Sequence, residues 1–142
     1  NQGSLLPAEL ASFYKAGSFY VGTSKADAFN IPVLEAMACG LIPIIGSFGG
    51  QVDFAEKVSW VVGGELCPAS IVDGTELSLY EQAKWLKLDE VELRKTFRTC
   101  FDLWKNNKEE LAKKSRACIE ASKGWTWSDS ARKLKEVLEK NG

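Results

Sequence analysis

The chain has 142 residues, enough for one domain with a core, and a net charge of −1 gives it no footprint for a nucleic-acid backbone or an anionic membrane. It contains no histidine, which removes Ser-His-Asp and Cys-His nucleophile systems and His-ligated zinc, and with them the commonest general base. The four cysteines (Cys39, Cys67, Cys100, Cys118) show neither a C-x-x-C pair nor metal-ligand spacing and read as reduced thiols.

No apolar run approaches the ~18–20 residues needed to span a bilayer, and no signal-peptide pattern opens the sequence. Charge is distributed unevenly: residues 1–62 hold 8 of the 37 charged residues. The first stretch therefore reads as a buried α/β core, and residues 63–142 read as solvated helices.

In chain order, Pro7 opens a short amphipathic helix over 8–16, with Leu10, Phe13 and Tyr14 apolar and Gly17 at its end. Residues 18–22 (SFYVG) are aromatic, β-branched and uncharged, a buried-type strand. A loop over 23–30 leads into a second helix, and Gly40 passes the chain to a strand over 41–45 (LIPII). The glycine-bearing loop 47–50 (SFGG), a single helical turn over 52–57 and a third strand over 60–62 (WVV) follow. Strands alternating with helices through short connections predict a parallel sheet, and ligands of such sheets bind at the carboxyl ends of the strands. Loops 23–30 and 46–50 both leave strands at that end.

Beyond residue 62 the sequence predicts irregular chain over 63–75 and helices over 76–86, 89–104, 108–123 and from 128 onward. Asp89-Glu90 sit in the first turn of one, Asn106-Asn107 break it, and Leu111, Ser115, Cys118 and Ile119 form the inner stripe of the next. Ser128 is the expected cap of the last helix, whose inner face is Leu134, Val137 and Leu138. The chain divides into an α/β core (1–62), a helical elaboration (63–107) and C-terminal helices (108–142), as one partial domain.

The stretch 26–40, ADAFNIPVLEAMACG, is the centre of the reading. Asn30 is a good N-cap, Pro32 fits a first turn and Gly40 a C′ position, framing a short helix that is apolar nearly all round. Its one carboxylate, Glu35, is either paired in a buried site or pointed outward to solvent. Asp27 lies eight residues earlier, in the loop before the helix, as a second site acid or a plain turn residue. Unpaired N–H groups at the helix start favour an anion, and carboxylates favour hydroxyls. A phosphate attached to a sugar needs both.

The run ADAFNIPVLEAMACGLIPIIGSFGG resembles the signature of retaining nucleotide-sugar glycosyltransferases of the GT-B fold, the large E-x7-E family that includes sucrose synthases and many mannosyl- and glucosyltransferases. Their usual form is E-G-F-G-L-P-x-L-E-A-M-A-x-G-x-P-V-I followed by a G-G-x-x-E-like loop. Phe29, Pro32, Leu34, Glu35, Ala36, Met37, Ala38, Gly40, Pro43, Ile45, Gly49 and Gly50 match it, and Trp125-Thr126-Trp127-Ser128 is similar to the aromatic element before the family's final helix. The resemblance implies a Rossmann-like parallel sheet with flanking helices, the C-terminal donor-binding half of a GT-B fold lacking its first strands, with a helical C-terminal tail.

The same resemblance implies roles for residues. Asp27 and Glu35 would be the catalytic-site acids, Glu35 on the nucleotide ribose and Asp27 on hydroxyls of the donor sugar. Ala28, Phe29, Asn30 and Ile31 would offer backbone N–H groups to the diphosphate. Gly49 and Gly50 would allow close backbone approach to the donor, or form a plain turn. The donor would be a UDP-, GDP- or ADP-sugar, with no metal and no other cofactor expected. Location in the cytoplasm, or on the inner face of a membrane, is inherited from the family.

Three departures stand out. Asp27 is one methylene shorter than the usual Glu, Ala28 and Asn30 replace two motif glycines, and residues 64–107 are longer and more aromatic than the usual stretch. Trp85, Phe97, Phe101 and Trp104 read as packing of that elaboration. The chain is also too short for both GT-B domains and reads as part of a larger or split enzyme, inactive when isolated. Its final helix and ligand-side loops are expected to expose apolar surface to a missing N-terminal acceptor domain, and so to promote self-association. The leading function is donor binding in a glycosyltransferase that moves a hexose to an acceptor hydroxyl. The alternatives are a non-catalytic nucleotide-binding or regulatory module and a purely structural interaction domain.

Overall fold

The computed structural model describes residues 5–69 and 83–141. Helix α1 (Pro7–Lys15) leads into strand β1 (Phe19–Gly22), helix α2 (Ile31–Ala38), strand β2 (Ile42–Gly46), the short helix α3 (Gln51–Ala55) and strand β3 (Trp60–Val62). Strands β4 (Gly64–Pro68) and β5 (Lys84–Leu88) follow, then helices α4 (Glu90–Asn106), α5 (Lys108–Ser122) and α6 (Trp127–Asn141). β1, β2 and β3 form a parallel sheet with β2 central, in the register Tyr20–Pro43 and Ile44–Trp60. The chain is thus an α/β, Rossmann-like half-domain with a helical C-terminal tail.

The sheet forms because its sequence is apolar on both faces. All five residues of β2 are buried. Successive side chains of a strand point to opposite faces. Ile44 packs with Val62 and with Cys100 of α4, whereas Ile45 packs with Val33 and Met37 of α2, Phe54 of α3 and Cys118 of α5. Helices therefore cover both faces of the sheet. Gly40, at φ +86°, ends α2; its carbonyl accepts a 2.7 Å bond from Ser115 Oγ, which ties α2 to α5.

Several expectations need correction. The segment expected to be irregular holds β4, and the helix expected over 76–86 gives way at its end to β5, which pairs with β4 antiparallel from Gly64–Leu88 to Pro68–Lys84. The rest of that expected helix lies outside the described residues. Asp89 caps α4 rather than joining its first turn, its carboxylate accepting from the Val91 and Glu92 amides. Thr126, not Ser128, caps α6: its Oγ1 accepts the Asp129 amide at 3.1 Å and donates to Asp129 Oδ2 at 2.6 Å. The Thr-x-x-Asp spacing closes that turn, which Ser128 sits too late to do. Leu134, Val137 and Leu138 do not form an inner face, since each is more than half exposed.

Candidate functional site

Loop 23–30 leaves β1 at the carboxyl edge of the sheet and folds on itself. Asp27 Oδ1 accepts the Phe29 amide at 3.2 Å, and the Asp27 carbonyl accepts the Gly50 amide at 3.0 Å. Asn30 is buried and sits at φ +67°, the left-handed region that Asn tolerates better than most residues. Its Nδ2 donates to Ser24 Oγ at 3.1 Å. The expected N-cap is therefore corrected: Asn30 precedes α2, but its side chain is turned back into the loop and caps nothing. The family pattern has a glycine here, and the backbone conformation explains why Asn is an acceptable substitute.

Loop 47–50 packs on loop 23–30. Gly49 lies at φ +110°, and a Cβ on it would come within 2.9 Å of the Asp27 carbonyl. A Cβ on Gly50 would collide with the Ala28 carbonyl and lie 2.9 Å from Phe29 Cα. The two glycines thus let one backbone lie against the other. Behind them Gln51 is fully buried; its Nε2 donates to the Phe48 carbonyl at 2.6 Å, and its Oε1 has no partner among the described residues. Phe29, Phe54 and Trp125 stack at centroid distances of 5.0–5.9 Å and lock the loop to α3 and the α5–α6 connection.

Glu35 lies half-buried on α2. Its Oε2 accepts the Tyr14 hydroxyl at 3.1 Å. Burial, followed by that hydrogen bond and the charge of Glu35, pushes the Tyr14 phenol up to about 12, so it stays a donor at any ordinary pH. The Tyr20 phenol is raised as well, first by burial and then by the charges of Glu35 and Asp27, which places both acids in the electrostatic reach of one ring. A cavity of about 480 Å³ opens beside Glu35, with Phe29, Ile31, Leu34, Trp125 and Trp127 in its walls.

The family model for glycosyl transferases group 1 matches residues 2–97, which include both loops and α2. The chain belongs to the glycosyl transferases group 1 family. No curated protein matches it significantly.

In this glycosyl transferase chain the expected site residues fall into two adjoining groups. Phe29, Ile31 and Glu35 line the cavity. Asp27, Ala28, Gly49 and Gly50 meet in the loop-to-loop contact, and Asn30 faces inward to Ser24. Tyr14, Tyr20, Ser24, Gln51, Trp125 and Trp127 complete the surroundings and were not among the expected site residues. Tyr14 reads from sequence as one more apolar residue of α1; only the pairing of α1 with α2 reveals its hydroxyl. Trp127, 85% exposed at the cavity, had a signal in the aromatic run 125–127. Chemically, the arrangement offers a carboxylate with one oxygen engaged, aromatic faces suited to stacking and a loop rich in backbone amides.

Proposed function

We propose that this chain is the donor-binding domain of a retaining glycosyltransferase that moves a hexose from a nucleoside-diphosphate sugar to an acceptor hydroxyl. The carrying observation is Glu35, held by Tyr14 through one oxygen only, beside an aromatic-walled cavity. The other oxygen keeps its accepting capacity, and a carboxylate takes vicinal ribose hydroxyls in strong charge-assisted bonds. Asp27 then addresses the sugar. The amides of Ala28, Asn30 and Ile31 face the diphosphate, whose charge grows as it leaves, while the Phe29 amide is held by Asp27. Acceptor-side groups come from a further domain, and the isolated chain does not turn over.

One observation favours the non-catalytic nucleotide-binding reading: Asp27 Oδ1 already accepts the Phe29 amide, so part of the sugar-facing acid is engaged within its own loop. Sugar transfer on adding the acceptor-side domain in trans separates the two readings. The direct test is ligand-observed NMR with UDP-, GDP- and ADP-sugars. Binding of about 1 mM, roughly −4 kcal/mol, is expected for half a site. Glu35→Ala should abolish it; binding unchanged in that variant would remove the assignment.

A further inference from the structure

The β4–β5 pair is built across the end of the sheet that carries the site. At its base the Gly63 amide donates to Glu92 Oε2 at 2.7 Å, and the Gly63 carbonyl accepts the Asp89 amide at 3.0 Å. At its other side it grips loop 23–30. The Leu86 amide donates to the Lys25 carbonyl at 2.7 Å, and Lys25 Nζ sits 4.5 Å from the centroid of the Trp85 ring. The Leu86 side chain is 2% exposed and packs on Gly46, where even a Cβ would come within 2.8 Å of it. Lys25 is two residues from Asp27, whose own carbonyl is bonded to Gly50. The loop is therefore fastened at Lys25 by β5, at Asp27 by loop 47–50, and between Ser24 and Asn30 by a side-chain bond.

We propose that the β4–β5 pair is a strap that fixes the Asp27 loop, with Trp85 and Leu86 as positioning residues for the sugar-facing acid. The role in ligand selection rests on the donor-binding reading above; the restraint of the loop does not. Glu35 is anchored separately through Tyr14, so loosening the strap weakens recognition of the sugar and spares recognition of the nucleotide.

The test compares the full chain with Trp85→Ala and Trp85→Phe, the second retaining an aromatic face for Lys25. In ligand-free protein, Trp85→Ala should speed hydrogen exchange at the Gly50 amide about two- to fivefold, the worth of an exposed cation–π contact, with Trp85→Phe near wild type. Affinities for UDP-glucose, GDP-mannose and ADP-glucose are then measured against UDP, GDP and ADP. Trp85→Ala should lower the preference for the sugar form by about the same factor and leave the diphosphate unchanged. Unchanged exchange at Gly50 overturns the strap. Equal loss for sugar and diphosphate overturns the positioning role and leaves Trp85 merely structural. If the wild-type chain binds none of the probes, the donor-binding reading fails, and the exchange result alone decides the strap.

Discussion

Gly50 sits where a single added methyl group would have to share space with the Ala28 carbonyl. The contact is backbone against backbone, so no side chain can rotate away to relieve it. Gly50→Ala should therefore cost about 1–3 kcal/mol of stability, the usual range for overpacking. It should also shift the amide resonances of residues 27–29, read by a thermal melt and an amide spectrum of the same variant. A wild-type melt would mean that the two loops are not in contact. At this scale residue type marks Asp27, Glu35, Gly49 and Gly50 as candidates, and the structure shows the two glycines packed against the backbone of residues 27–29. Asn30 could be singled out too, but its use could not. Asn serves equally as a helix cap and as a left-handed loop residue, and only the position of Ser24 decides between them. Gln51 and Tyr14 carry no local mark at all.

Each sheet face is closed by a helix bearing a buried thiol, Cys100 on α4 and Cys118 on α5, where Cys118 Sγ donates to the Val58 carbonyl at 3.6 Å. Burial pushes both thiols up to about 11, with Lys114 opposing. Tyr14, between α1 and α2, is pushed up to about 12. Because all three are raised, the folded chain holds protons that the unfolded chain releases. Stability is then fully present below the ordinary thiol value of 9.0 and falls as pH rises toward 11, with Tyr14 extending the loss from 10.0 to about 12. Denaturant midpoints measured below pH 9.0 and at pH 11 should show the drop, and Cys118→Ala should flatten it.

The elements of residues 1–62 were legible because each is defined by its own residues: uncharged β-branched runs, a proline near the start of α2, a glycine at its end. The β4–β5 pair was not. Lys84–Leu88 reads KWLKL, with a lysine on each face, and its partner lies outside any local window. Strand pairing at that separation is a tertiary choice, and helix-compatible composition over 76–86 pointed the other way. The final helix shows the opposite error. An amphipathic period predicts the helix but not what covers its apolar stripe.

For the whole molecule, the exposed apolar residues of α6 have a consequence in solution. Leu134 and Leu138 are 61% and 64% exposed, and Trp127 adds a nearly bare indole at the start of the same helix. A second apolar groove of about 440 Å³ runs between β1 and α4, past Val21, Phe97, Phe101 and Trp104. Exposed apolar surface of this kind promotes association. Light scattering should show the apparent mass rising with concentration, and Leu138→Glu should reduce the rise; a clean monomer at high concentration would reject the idea. The fold class and sheet direction were legible at this scale from the α/β alternation, and exposed apolar surface on the final helix was expected from the resemblance, whereas the groove between β1 and α4 was not, because it depends on how distant elements pack. The hydrogen bond from Leu86 to Lys25 also has a meaning in time. With synthesis at ~5–20 residues per second, Leu86 emerges roughly 3–12 s after Lys25. On the ribosome, then, all three strands of the parallel sheet and α2 have been made before β5 exists, and the Lys25 loop gains its β5 restraint only afterwards.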